Sequence, residues 1–132
     1  MSTATDKPLE RCRILLVEDD PLLLLDIADA LIRAGATITG HATSRQSAIC
    51  MAPSKDFDCA VMDVKLRGGD VYPAAHIVRD RGKGIVFVTA HPDLPELRKH
   101  WPHAKVLAKP VAEEDVIKAI AHACNPPTYT HS

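Results

Sequence analysis

Residues 60–70, AVMDVKLRGGD, decide the fold. With Cys59 just before it, Ala60-Val61-Met62 is a short apolar run suited to a strand buried on both faces, and it runs straight into Asp63. Lys65, Arg67, Gly68 and Gly69 then have the composition of a loop. A buried strand that ends in a carboxylate raises the question of what that carboxylate serves.

Similar runs recur on either side. RILLV (13–17) is a continuous apolar run bounded by charge. PLLLLDIADALIRAG (21–35) opens on a proline suited to a helix start and closes at Gly35, a natural residue to follow a helix. Within it Leu24, Ile27, Ala28, Leu31 and Ile32 follow a helical period. ATITGHA (36–42) is less apolar, as an edge strand should be, and Thr43 with Gln46 forms a capping box for a helix through about residue 51. FDCAVM (57–62) and GIVFVT (84–89) are two more buried strands, and AKVLA (104–108) is a last short one. Helices are expected over 71–81, entered through Pro73, and over 112–123, stopped by Pro126 and Pro127. Five strands alternating with helices predict a parallel α/β sheet covered on both faces. Residues 1–10 and 126–132 read as loose tails around one domain at 11–125.

Composition removes several classes of function. With 46% hydrophobic and 4% aromatic residues, the 132-residue chain carries an aliphatic core of single-domain size. Net charge is −1 with both signs interspersed, so no basic stripe marks a nucleic-acid partner. No window approaches the roughly 20 apolar residues of a membrane span, and the polar N-terminus lacks an apolar signal core. A cytoplasmic location is the expectation. Cys12, Cys50, Cys59 and Cys124 are widely spaced, which suits neither a zinc site nor a disulfide framework. His91, His100 and His103 lie in a proline-interrupted segment and read as solvated loop residues.

Polar groups cluster at the strands' carboxyl ends. Glu18 and Asp19 end the first strand, Asp63 the third, Thr89 the fourth and Lys109 the fifth. In an open α/β sheet these ends share one edge, where ligands bind. Three carboxylates about 4 Å apart repel by roughly 4 kcal/mol per pair at an effective dielectric near 20, more than one lysine offsets. A hard divalent cation such as Mg²⁺ does so with few carboxylates and leaves room for a phosphate. Carboxylate, Mg²⁺, hydroxyl and lysine together suit the receipt of a phosphoryl group.

ILLVEDDPLLL, VMDVKLRGGD, VFVTAH and VLAKP, in that order over residues 13–123, resemble the receiver domain of two-component response regulators. The resemblance implies a flavodoxin-like, doubly wound sheet of strand order 2-1-3-4-5, with a short fourth helix in this chain. It implies Asp63 as phosphoacceptor from a sensor histidine kinase. Asp19, Asp63 and the Lys65 backbone carbonyl would bind Mg²⁺, with Glu18 acting through water, while Thr89 and Lys109 contact the phosphoryl group. The L-x-G-G-x loop and the following Tyr-Pro are similar to the FAT GUY subgroup of single-domain receivers. That subgroup's F-A-T-G-Y is here Val88, Thr89, Ala90 and His91 after Phe87, and Val111 replaces the aromatic that usually follows Lys-Pro. The Lys109–Pro110 bond is expected to be cis, a form that costs only about 0.5–1 kcal/mol before proline.

No effector segment is expected after the last helix, so output falls to protein–protein interaction or to draining phosphate within a relay. Expected partners are the kinase, an unidentified downstream protein and, as an open alternative, a second copy of the chain. Two other readings stand beside this one. A phosphorylation-independent receiver-like module predicts the loss of an acidic or lysine position, and none is lost. A phosphohydrolase with an aspartyl nucleophile usually carries a second aspartate two residues on, where Lys65 stands. Between Thr89 and Lys109, Pro92, Pro95 and Pro102 leave only about 95–101 to form a helix, held by Leu94, Leu97 and Trp101. Val106 takes the place of the aromatic usual on the fifth strand.

Overall fold

A computed structural model describes residues 7–124. Strands β1 (Arg13–Val17), β2 (Thr37–Ala42), β3 (Cys59–Met62), β6 (Gly84–Thr89) and β7 (Lys105–Ala108) form one sheet of order β2-β1-β3-β6-β7, all neighbours parallel. Counting only this sheet's strands, that is 2-1-3-4-5, the expected flavodoxin-like order. Strands β4 (Lys65–Leu66) and β5 (Gly69–Asp70) make a two-stranded hairpin in the loop after Asp63. Helices α1 (Pro21–Arg33) and α5 (Glu113–Cys124) pack on one face, and α2 (Arg45–Ser54), α3 (Tyr72–Asp80) and α4 (Pro95–His100) on the other.

The alternation of residues along each strand divides the core between two layers. Leu15, Val17, Ala60, Met62 and Phe87 point into the layer under α2, α3 and α4, while Ile14, Leu16, Cys59, Val61, Val86 and Val88 point under α1 and α5. Every residue of β3 is buried, as its uninterrupted apolar run requires.

Local differences from the sequence reading have plain causes. The N-cap of α2 is Ser44, one residue later than expected. Its hydroxyl accepts the Ser47 N–H at 3.1 Å, and Ser47 Oγ accepts the Ser44 N–H at 3.1 Å. The same helix continues past residue 51 to Ser54, because Pro53 falls in its last turn, where Ser54 Oγ donates to the Cys50 carbonyl at 3.0 Å. On α1, Ala30 rather than Ile32 faces the core, and Ile32 is 54% exposed. Lys109–Pro110 is cis, as expected.

The assignment of residues 7–10 to a loose tail does not hold. Leu9 is fully buried in the α1–α5 layer, and its N–H donates to the Ala34 carbonyl at 2.9 Å. Gly35, at φ +105°, makes the close approach possible, since a Cβ there would lie 2.8 Å from Lys7 Cβ. Leu9→Ala is expected to cost about 2–4 kcal/mol in a denaturant titration, as a fully buried leucine should; a tail residue would cost nothing. Residues 1–6 and 126–132, the rest of the expected tails, lie outside the described residues.

The cysteine reading also needs correction. Cys12 and Cys124 form a disulfide with Cα atoms 6.2 Å apart across a sequence separation of 112. Spacing along the chain concealed it, because the start of β1 and the end of α5 meet only when the sheet closes.

Candidate functional site

Parallel strands place their carboxyl ends on one edge, and the expected residues meet there. Asp63 follows β3 at the centre of the sheet, and its N–H donates to the Val17 carbonyl at 2.9 Å. Glu18 and Asp19 follow β1, with the Glu18 N–H donating to the Ala42 carbonyl at 3.0 Å. Glu18, Asp19 and Asp63 each bring a carboxylate oxygen within 4.8 Å of the others. Thr89 closes β6, and the Lys109 N–H donates to its carbonyl at 2.9 Å, fixing the lysine just beyond β7.

Lys109 spans the acidic group. Its Nζ lies 2.8 Å from Asp63 Oδ2 and 3.0 Å from Glu18 Oε1. The other Glu18 oxygen accepts the Asp20 N–H at 3.1 Å, so a side chain only 2% exposed has both oxygens engaged. Burial nevertheless holds the Glu18 carboxyl above the ordinary glutamate range, against the opposing effect of the Asp20 and Lys109 contacts. For Lys109, burial works to lower the pKa, and the bonds to Asp63 and Glu18 outweigh it.

The remaining donors are oxygen and open. Asp19 is half-buried and its carboxylate accepts no hydrogen bond among the described residues. Asp63 Oδ1 has only a long contact, with the Lys65 N–H at 3.4 Å. Three carboxylates against one ammonium leave excess negative charge, and hard oxygens of this kind fit a small divalent cation. Thr89 is buried, and its Oγ1 accepts the His91 N–H at 3.0 Å, which leaves the hydroxyl proton free to donate.

Two supports were not read from the sequence. Asp20 caps α1, its Oδ1 accepting the Leu22 N–H at 3.0 Å; the Asp-Pro pair at 20–21 was a usable signal for this. The hairpin at 65–70 leans on α2 through an Arg45 N–H to Arg67 carbonyl bond of 2.9 Å, and no local motif announces that contact. His91, His100 and His103 are exposed, and His100 lies 3.5 Å from Glu96.

This edge and this sheet define the response regulator receiver domain; the family's model matches residues 14–121, and the chain belongs to that family, the receivers of two-component systems. The transcriptional regulatory protein PdtaR of Mycobacterium tuberculosis is 34% identical over 122 residues, covering 90% of this chain and 59% of PdtaR. The chain thus spans about three-fifths of that relative's length. A response regulator receiver protein from Sinorhizobium medicae superimposes with a TM-score of 0.77 at 28% identity, over 87% of this chain and 95% of that one. The receiver domain of the sensor histidine kinase PA1611 from Pseudomonas aeruginosa, solved with magnesium in its active-site cleft, has a TM-score of 0.73. At 24% identity, over 86% of this chain and 97% of that one, it shares the fold. Among the described residues no helix is long and apolar enough to cross a membrane.

Proposed function

We propose that the chain is a phosphorylated signalling switch in which Asp63 takes a phosphoryl group from a sensor histidine kinase. It then acts through a partner protein or as a phosphate sink. The observation that carries this reading is the Lys109 ammonium bridging Asp63 and Glu18 beside the open Asp19 carboxylate. Asp19, Asp63 and the Lys65 carbonyl would hold Mg²⁺, with Glu18 acting through water. Bound there, the ion supplies countercharge for the equatorial phosphoryl oxygens.

The chain's own groups supply the rest. An Asp63 carboxylate oxygen attacks phosphorus while the bond to the donor breaks, and an acyl phosphate forms on Asp63. Lys109, released from part of its contact with Asp63, pairs with one phosphoryl oxygen, and the Thr89 hydroxyl donates to another. Release by water regenerates the free carboxylate, so the domain promotes both its own phosphorylation and its own dephosphorylation. The direct test is transfer of label from an autophosphorylated histidine kinase to the wild-type chain with Mg²⁺. Absence of label from every kinase tried, and from acetyl phosphate, would reject this function.

Lys65, two residues past the acceptor, is exposed at the start of the hairpin. In the proposed state its ammonium overhangs the acyl phosphate and obstructs attacking water. An exposed charge of this kind contributes up to about 1 kcal/mol, so Lys65→Ala should speed loss of the phosphoryl group about fivefold. An unchanged rate, measured as loss of label over time, identifies a solvated loop lysine, and a slower one assigns the side chain to charge stabilisation.

Output is proposed to run through residues 91–103. The six-residue α4 is far below the ~12–15 residues an isolated helix needs, so packing holds it. Leu97 and Trp101 are buried, and the Trp101 and Phe87 rings pack edge to face with centroids 5.4 Å apart, Phe87 lying two residues before Thr89. Movement of Thr89 toward a phosphoryl group would reach α4 through that contact. Amide exchange across 91–103 is expected to slow on adding beryllofluoride with Mg²⁺. Protection equal to the core before addition, and unchanged after it, rules this route out.

A further inference from the structure

We propose that Cys12 and Cys124 form a reversible thiol–disulfide switch that fastens the far end of α5 to the sheet independently of the phosphoacceptor edge. Cys12 lies between the buried Leu9 turn and β1; its N–H donates to the Leu9 carbonyl and its carbonyl accepts the Thr37 N–H, both at 2.9 Å. Cys124 is the last residue of α5. Their Cα separation of 6.2 Å falls inside the usual disulfide range of about 4.4–6.8 Å, so the fold brings the two together without displacing either backbone. The other two thiols are poor competitors. Cys59 is buried with its pKa pushed up to about 12 by desolvation, and Cys50 is exposed on α2, on the opposite face of the sheet.

The pair sits at the amino-terminal edge of the sheet, the opposite end from Asp63. There the last turn of α5 lies against β6 so closely that a Cβ on Gly84 would be 2.8 Å from the Ala123 carbonyl oxygen. His122 and Ala123 of that turn, with Lys83, Trp101 and Lys105, form walls of a groove of about 340 Å³. The bond therefore pins one wall of the groove and the buried Leu9 turn together, and its opening loosens both.

The chemistry is ordinary thiol–disulfide exchange with a dithiol reductant. One reductant thiolate attacks the Cys124 sulfur, because Cys124 is half-buried while Cys12 is only 2% exposed. A mixed disulfide forms, and Cys12 leaves as a thiolate that takes up a proton. The reductant's second thiol closes its own disulfide and frees Cys124 as a thiol. Two electrons and two protons pass to the pair; glutathione disulfide reverses the step, yielding two molecules of glutathione.

The test uses the whole chain carrying Cys50→Ser, which removes intermolecular pairing. After equilibration with glutathione disulfide and alkylation in denaturant, mass spectrometry should find one alkylated cysteine, Cys59, and three after dithiothreitol. The oxidised protein should melt about 10 °C above the reduced one, since the bond closes a loop of more than a hundred residues. On reduction, amide exchange should rise at residues 7–12 and 119–124, while labelling by acetyl phosphate stays the same. Cys124→Ser should match the reduced protein and ignore dithiothreitol; if that variant does not fold, the wild-type pair measured in both redox states decides. Three alkylated cysteines under glutathione disulfide would overturn the proposal, as would a disulfide whose reduction moves neither melting nor exchange.

Discussion

Asp63→Asn is expected to reduce labelling by acetyl phosphate and Mg²⁺ at least about 10³-fold, to background, because an amide oxygen is no substitute for a carboxylate nucleophile. The loss should not come from unfolding. Asparagine has the same shape, and its side-chain oxygen can still accept from Lys109, which now lies 2.8 Å from Asp63 Oδ2. The substitution also removes one of three crowded carboxylates. Each such pair repels by roughly 4 kcal/mol at about 4 Å and an effective dielectric near 20. Without Mg²⁺ the variant should therefore melt no lower than wild type, and added Mg²⁺ should raise its melting temperature less. A normally folded variant that still takes label would place the acceptor elsewhere.

Lys109→Ala is expected to act on stability as well as on chemistry. Glu18 is 2% exposed and Lys109 Nζ is 3.0 Å from it, so the substitution leaves a buried carboxylate without its countercharge. Breaking a buried pair this way costs about 3–5 kcal/mol, read as a lower denaturation midpoint. The pH dependence comes from Glu18. Burial holds its folded pKa above the unfolded value, so the folded state binds this proton more tightly, and ionising Glu18 costs stability as pH rises through that window. Removing Lys109 takes away contacts that favour the ionised form and widens the window upward. The deficit should thus be greatest at neutral pH and shrink as the pH falls and Glu18 protonates. Mg²⁺ should restore part of the stability at neutral pH. A deficit that is constant with pH would mean that Lys109 acts through packing alone.

The site was legible because parallel strands obey a simple rule. Each apolar run ends at the same edge, so the residues immediately after Val17, Met62, Val88 and Ala108 assemble there. GIVFVT was read to its true bounds because β6 is central and its apolar run is interrupted on neither side. The larger misreadings depended on distant contacts. Leu9 is one apolar residue among polar ones, and only the corner at Ala34 and Gly35 gives it somewhere to bury. Cys12 and Cys124 come from the two ends of the chain. The α2 cap moved by one residue because Thr43-Gln46 and Ser44-Ser47 offer overlapping patterns, and local spacing does not choose between them. Ile32 follows the helical period of α1, yet Ala30 turns inward, because the face that packs is set by where the helix lies on the sheet.

The central claim is that Asp63 itself carries the phosphoryl group, and borohydride trapping reads this directly. The wild-type chain, phosphorylated by acetyl phosphate with Mg²⁺, is reduced with sodium borohydride, which converts an acyl-phosphorylated aspartate to homoserine. Peptide mass spectrometry should find homoserine at position 63 and nowhere else. Homoserine at position 19 or 20, or none anywhere in protein shown to be labelled, would contradict it.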